Sequence, residues 1–329
     1  MRISINTFFE GRQPEPFPEF IAGVSQVFEE RGIAGVWLGE HVVTFPDYDP
    51  NFRYPYNETG AAPEVLKGIG FIDPMSTLTA MAVHSKTLRL GTGVALLPQR
   101  NPLYFAKEGA AIDLMSNGRF IAGVGIGWSA QEYAATGTPF EHRGARMRDY
   151  LQVVRSLWMD EVSQFEGRFY TLPPCIHLPK PVQRPHPPFY FGGESEAAMR
   201  RVAEFGQGWF AFWITPAELA PKIERLKALL AEHGRSLADI DLVAGPPGDK
   251  PVDERMLADF AARDVSTSAG DRLYSPVGLD LGGDGPDAIA LAIVSEVAAV
   301  MHGRSGGHLR ERAASLHGPA RATADGPSA

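Results

Sequence analysis

The sequence predicts an α/β fold, a parallel (β/α)8 barrel, on two observations. The first is residues 88–128, which parse as strand, crossover helix, strand. Leu88, Leu90 and Val94 to Leu97 are apolar, and Arg100-Asn101-Pro102 is a turn that opens a helix. Phe105, Ala106, Gly109, Ala110, Asp113 and Leu114 recur at helical spacing, and Asn117-Gly118 stops that helix before a second apolar run, 120–124. Near-continuous apolar strands joined by a helix pair in parallel with both faces covered. The second observation is the rhythm of the whole chain: strands alternate with helices and no sequence repeat recurs, which predicts a barrel rather than a sandwich. The 329 residues, 44% of them hydrophobic, suffice for one barrel of about 250 residues plus extras.

The elements follow in order. Residues 2–8 alternate as strand one, 17–31 form an amphipathic helix ended by Gly32, and 35–42 are strand two. Residues 43–72 are rich in Pro, Tyr, Asn and Phe and have no periodicity; loops this long inside compact domains are usually lids or binding loops. Asp73 caps a helix to His84. After the unit at 88–128, residues 141–158 are strongly helical and 161–186 are an irregular, proline-dense insertion. Then come a short strand at 189–192, a helix at 196–205, a strand at 207–212, a helix at 216–233, a strand at 240–244 and a helix at 252–262.

Charge and cysteine usage narrow the function classes. The 31 basic and 39 acidic residues give a formal charge of −8 with no basic run, so neither nucleic acid nor an anionic membrane surface is an expected partner. Cys175 is the single cysteine, which rules out an intramolecular disulfide and fits a reducing cytoplasm; it reads as a passive thiol in a Pro-rich loop. No leader pattern opens the chain and no run of about 18 apolar residues exists. The expectation is a soluble cytoplasmic protein acting on a small molecule. Paired cysteines, HExxH, GxSxG and P-loop patterns are absent from the sequence, which leaves zinc, hydrolase and nucleotide-phosphate chemistry without support.

Polar and glycine residues collect just past the strand ends, where such barrels keep their chemistry. Glu40-His41 closes strand two. His41 reads either as a proton donor or acceptor at the barrel mouth or as a histidine bonded under the next loop, with Glu40 orienting His41 or that loop. Thr92-Gly93-Val94-Ala95 places a glycine inside a strand, marking either a bulge approached by a ligand or tight barrel packing. Gly123-Val124-Gly125-Ile126-Gly127 lacks the third-glycine spacing of a dinucleotide fingerprint; these glycines would let a cofactor lie against the strand end. Gly192-Gly193-Glu194-Ser195 opens a helix and reads as an anion site or an ordinary strand-to-helix turn, with Glu194 repelling phosphate if it points inward. His142, Arg143 and Arg146 are further anion candidates or solvated charges, and Glu132 reads as a capping, orienting or solvated helix residue.

The wording of several segments carries a resemblance. LGTGVALLPQRNP (90–102), residues 106–113, GRFIAGVGIGW (118–128), PFEHRGARMRDYLQVVRSLW (139–158), PKPVQRPHPPFYFGG (179–193) and residues 201–210 closely resemble the bacterial luciferase-like monooxygenase family. Within it they look like the branch of oxidoreductases that use the deazaflavin coenzyme F420. The resemblance covers about the first 265 residues in consistent order. It implies a luciferase-like barrel, hydride transfer between F420 and a small organic substrate, and a homodimer. The alternatives are an FMN-dependent monooxygenase on the same barrel and a non-catalytic cofactor-binding barrel.

The same resemblance implies roles. His41 would lie beside the deazaflavin ring as proton donor or stabiliser of the reduced ring's charge, with Glu40 next to it. Thr92, Gly93, Val94 and Ala95 would brace the ring from behind, with a non-prolyl cis peptide at Gly93-Val94. Gln131 would contact the ring, and Gly192, Gly193 and Ser195 would hold the cofactor phosphate. Trp128 stands where sugar-phosphate-oxidising relatives carry a catalytic glutamate, which implies an apolar wall of the substrate pocket instead.

The C-terminal end departs from this pattern. Ser266-Thr267-Ser268-Ala269-Gly270 intervenes where a final apolar strand is expected, and RLYSPVGLDL (272–281) and PDAIALAIVSEVAAVMHG (286–303) resemble the terminal segment of xanthine-dehydrogenase accessory proteins, which handle molybdenum cofactor. Residues 1–265 are thus expected to be the barrel, 266–317 either a fused tail or a substitute eighth strand and helix, and 318–329 disordered. Residues 286–301 are expected to be helical, with Pro286 in the first turn.

Overall fold

The structure, a computed structural model, describes residues 4–7, 9, 16–49, 54, 60, 61, 66 and 70–245. The expectations for 252–262, for the substitute strand and helix and for the terminal disorder lie outside the described residues. The chain divides into two compact units, Met1–Leu273 and Tyr274–Ala329, and all described residues belong to the first.

In chain order the elements are β1 (Ser4–Thr7), α1 (Phe17–Glu30), β2 (Gly35–Leu38), α2 (Pro74–His84), β3 (Arg89–Thr92), β4 (Ala95–Leu96), α3 (Pro102–Met115), β5 (Phe120–Gly125), α4 (Ala130–Ala135), α5 (Arg143–Met159), β6 (Ser163–Glu166), β7 (Thr171–Cys175), β8 (Phe189–Gly192), α6 (Glu196–Phe205), β9 (Gly208–Ala211), α7 (Pro216–Glu232) and β10 (Asp241–Ala244). The large sheet runs β1-β2-β3-β5-β8-β9-β10 with β4 on β5. Every pairing in it is parallel. Parallel strands in chain order with helices between them are the α/β barrel that the sequence predicts, and among the described residues β1 and β10 end the row.

Local chemistry places the helix starts. Asp73 Oδ1 accepts from Ser76 N at 2.7 Å to cap α2, and Asn101 Oδ1 accepts from Leu103 N at 2.9 Å ahead of Pro102 in α3. Thr215 and Glu218 form a reciprocal capping box on α7. Asn117 and Gly118, at φ 55° and 82°, end α3 in the left-handed conformation that stops helices.

Strand two is shorter than expected: β2 stops at Leu38, so Glu40 and His41 lie in the loop beyond it. The insertion at 161–186 is not wholly irregular, because β6 and β7 pair there as an antiparallel hairpin with a register shift between Ser163 and Phe165. Pro173 and Pro174 obscured β7 in the sequence. A two-stranded ribbon tolerates prolines that a central strand could not, since the missing N–H groups need not serve a second neighbour.

The core has two layers. Trp37, Ile121, Tyr190 and Phe210 fill the barrel interior with Val94 packed against them. Outside the strands, Phe105, Phe120, Trp158 and Phe189 are fully buried, each stabilising the fold by about 2 kcal/mol. Trp158 stacks on Phe189 at 5.3 Å and its Nε1 donates to Ala106 O at 2.8 Å. Gly109 makes that approach possible, since a Cβ there would stand 2.8 Å from the Trp158 ring. Among the described residues no helix is long and apolar enough to cross a membrane.

Candidate active site

Parallel strands in one row put all their C-terminal ends on one side, and the loops that follow β2, β4, β5, β8 and β9 gather there. The β3–β4 line is bulged. Leu90 and Gly91 oppose Phe120 and Ile121, then Ala95 and Leu96 oppose Val124 and Gly125, so residues 92–94 face only 122–123. The extra residue is the bulge expected at Thr92-Gly93-Val94, and the Gly93–Val94 peptide is cis. Thr92 Oγ1 donates to Gly123 O at 2.6 Å, and Gly93 N donates to Leu38 O at 2.7 Å.

Glycines around the bulge have a purpose other than the expected one. A Cβ on Gly123 would meet Thr92 O at 1.8 Å, one on Gly125 would meet Val94 Cγ2 at 2.6 Å, and one on Gly192 would meet Val94 Cγ1 at 3.0 Å. Gly123 and Gly125 therefore make room for the protein's own bulge rather than for a cofactor directly. Val94 reaches across both β5 and β8.

His41 is held by a residue that the sequence left undecided. Its Nδ1 lies 3.0 Å from Glu132 Oε2, the His41 side chain 15% exposed and the Glu132 side chain fully buried. Val42 N donates to Glu132 Oε1 at 2.7 Å. Ser129, the α4 cap, accepts from Glu132 N at 3.2 Å, so α4 fixes the carboxylate and the carboxylate fixes the ring. Because an ionised carboxylate only accepts, the hydrogen-bond network assigns the proton to Nδ1 and leaves Nε2 for a ligand. Glu132 is thus an orienting residue and not a solvated one.

Glu40 does not orient His41. Its Oε2 accepts from Leu96 N at 2.6 Å and its Oε1 from Arg100 Nε at 2.7 Å, with Arg100 Nη2 also bonded to it. Arg100 extends the network to Asp73 at 2.9 Å and Glu108 at 3.0 Å. Adjacent side chains leave a chain in different directions, so Glu40 anchors the turn after β4 while His41 turns to α4. Gln131 is likewise engaged: its Oε1 accepts from Asp49 N at 2.8 Å and its Nε2 donates to Asp47 O at 3.0 Å. It staples the 47–49 loop instead of offering its amide to a ring.

That loop brings aromatic residues over His41. Trp128 packs on His41 at 5.9 Å, on Tyr48 at 5.1 Å and on Tyr54 at 5.0 Å, and Phe71 meets the His41 ring edge-on at 5.1 Å. Burial, then the neighbouring Tyr48, pushes the Tyr54 phenol up to about 12, so it stays neutral. The sequence marked residues 43–72 only as an aromatic-rich loop; its contact with Trp128 and His41 needs the fold.

At β8, the Gly192-Gly193 turn adopts the glycine-requiring conformation, Gly193 at φ 106°. Gly193 O accepts from Trp209 Nε1 at 3.0 Å. Ser195 Oγ accepts from Ala198 N at 3.2 Å as the α6 cap, so its hydroxyl is already engaged by the helix. Glu194 accepts from Phe212 N at 2.8 Å and from its own amide in the turn, and burial raises its pKa against these bonds and the nearby Lys222. Of the further anion candidates, Arg146 is buried and donates to Pro139 O at 2.7 Å and Glu141 O at 3.3 Å. His142 packs on Phe169 at 5.9 Å. Arg143 donates to Gly127 O at 3.3 Å.

Known proteins share this fold. The model of the luciferase-like monooxygenase family matches residues 1–247, and that of the XdhC Rossmann domain matches residues 227–297, which begins upstream of the segment that carried the accessory-protein resemblance. An uncharacterised protein of Mycobacterium tuberculosis H37Rv, Rv0953c, is 34% identical over 217 residues, covering 65% of this chain and 74% of that protein. Among solved structures, the monooxygenase RslO1 from Streptomyces bottropensis superposes with a TM-score of 0.62 at 21% identity, covering 92% of this chain and 81% of that one. The coenzyme F420 dependent tetrahydromethanopterin reductase from Methanopyrus kandleri gives 0.58 at 21% identity, covering 74% of this chain and 65% of the reductase. At such identity the likeness to solved structures establishes the fold.

Proposed function

The chain belongs to the luciferase-like monooxygenase family, and from that premise we propose that it is an oxidoreductase exchanging hydride between coenzyme F420 and a small organic substrate. The observation that carries the reading is His41, fixed by buried Glu132 at 3.0 Å on the same rim as the Thr92–Val94 bulge. The residues present fit a planar redox ring. Val94 offers an apolar ridge across β5 and β8, and the unshared nitrogen of His41 lies at the strand ends. When bound, the deazaflavin supplies two-electron hydride chemistry, and the protein supplies position, a dry wall and a proton source.

His41 holds or delivers a proton at Nε2 while Glu132 stabilises the charge on its ring. Glu40, through Arg100 and Leu96 N, keeps the β4 turn in place. Trp128, Tyr48 and Tyr54 make an aromatic wall suited to an apolar substrate. Gly192 and Gly193 lie at the cofactor rim. The family resemblance also supports a homodimer, which sedimentation of the purified chain measures directly.

Titration followed by protein fluorescence tests the reading. F420 is expected to bind more tightly than FMN. Comparable or tighter FMN binding replaces the deazaflavin reading with that of an FMN monooxygenase. Absence of turnover with any hydride acceptor, despite F420 binding, leaves a non-catalytic cofactor-binding barrel.

A further inference from the structure

Among the described residues three that are not glycine have positive φ: Asn117, His142 and Trp213. Asn117 ends a helix, where asparagine is at ease in the left-handed region. Trp213, at φ 53°, is the opposite case, because a bulky side chain there is strained and glycine would not be. Full burial does not offset that strain, since Trp213 is 36% exposed.

The neighbours of Trp213 enforce the turn. Phe212 N donates to Glu194 Oε1 at 2.8 Å. Ile214 N donates to Gly245 O at 3.1 Å, and Gly245 N to Ala211 O at 2.8 Å. Ile214 is buried and Thr215 already caps α7. The chain therefore reverses between β9 and α7 with the residue at the reversal fixed on both sides. Strain held in this way gathers at functional positions.

The indole continues a column of rings. Phe210 lies in the barrel interior, 5.3 Å from Trp37. Phe212 stacks on Phe210 at 6.1 Å and 27°, and packs, like Val94, against the interior cluster. Trp213 follows on Phe212 at 5.6 Å and 30°. The column climbs from the interior into a βα loop at the C-terminal face, where barrels of this kind bind their ligands. In the strand order β5-β8-β9 it stands across β8 from the loop that carries Trp128.

We propose that Trp213 is a specificity-determining residue, a stacking face for a flat apolar ring of the substrate on the β9 side of the mouth. An exposed indole resting on nearly parallel rings offers a π face for offset stacking. A saturated ring of the same skeleton would gain contact area there but not the stack. That the bound ring is a substrate rests on the redox reading; the stacking face does not.

The test uses the full chain and two probes of one carbon skeleton, flat 2-naphthol and its saturated form 2-decalol. Calorimetric titration, with and without saturating F420, is expected to show tighter binding of 2-naphthol to the wild type. Trp213→Gly should weaken 2-naphthol by about tenfold and change 2-decalol and F420 much less. Trp213→Phe should keep most of the 2-naphthol affinity. Glycine also relieves the left-handed strain, so the denaturant midpoint of Trp213→Gly should stay level or rise, which a merely structural tryptophan would not allow. The proposal is overturned if the wild type shows no preference for the flat probe or if Trp213→Gly binds 2-naphthol normally. A lowered midpoint in Trp213→Gly also overturns it. F420 that displaces 2-naphthol, or binds Trp213→Gly more weakly, assigns the stack to the cofactor and likewise overturns it. Binding of 2-naphthol that depends on Trp213, in a chain that does not bind F420, keeps the stacking face and removes the redox reading.

Discussion

On the β2–β5 side of the mouth, charged and amide groups have partners: Glu132 holds His41 and Val42 N, Glu40 holds Leu96 N and Arg100, and Gln131 holds the 47–49 loop. Where α5 and α6 begin, the two helix starts differ from each other. α6 is capped by Ser195, with Glu194 bonded to Phe212 N, whereas α5 has no side-chain cap and Arg201 lies beside its first turn. A network whose members satisfy one another positions a group. The first side holds His41 in one orientation through Glu132, and the two helix starts do not touch it.

The largest expected effect breaks the positioned side at its functional end. His41→Ala should lower turnover by ~10² or more, in the range for general acid-base residues, while F420 affinity measured by titration changes little. Normal turnover would return His41 to a residue bonded under its loop. Glu132→Gln acts through His41 and should cost about tenfold in kcat with a shifted pH–rate profile. A variant with reduced stability but an unchanged profile would make Glu132 a purely structural cap partner.

Ser195→Ala sharpens the contrast between the two helix starts. Removing the α6 cap should cost about 1 kcal/mol of stability in denaturant unfolding, with F420 affinity retained. A loss of F420 affinity beyond that stability change would place Ser195 in the cofactor site. The smallest effect lies away from both. Burial, then Lys107 and Lys180, lowers the pKa of His177 to about 4. The folded state therefore binds fewer protons than the unfolded one. His177 stabilises fully above its unfolded value near 6.5, and that contribution is lost as pH falls from there through about 4. Between about pH 7 and 6 the loss should be roughly 0.5 kcal/mol, and His177→Leu should flatten that part of the stability curve.

Legibility in the sequence followed the range of the interactions. β8 and α6 match their predicted spans end for end, because apolar runs, caps and glycine stops act within a few residues. The β6–β7 hairpin was hidden because Pro173 and Pro174 argue against a strand unless the strand has only one neighbour. The bulge was visible as a glycine inside a strand, but its cause was not. That cause, Val94 crossing to Gly125 and Gly192, joins segments far apart in sequence.

By itself the sequence determined the barrel, its alternation of strands and helices, the cap of α2 and the position of His41 close to the end of β2. Periodicity and capping are properties of neighbouring residues, and a parallel barrel puts every strand end on one side. The tertiary structure decided which carboxylate serves His41. Glu40 adjoins it in sequence yet bonds Arg100, while Glu132, 91 residues away, reaches its ring. It also left Arg201 facing a helix start instead of the glutamates of its own helix. Which partner a charged side chain finds depends on the direction in which the backbone projects it and on what the fold carries there, and neither is written in its neighbours.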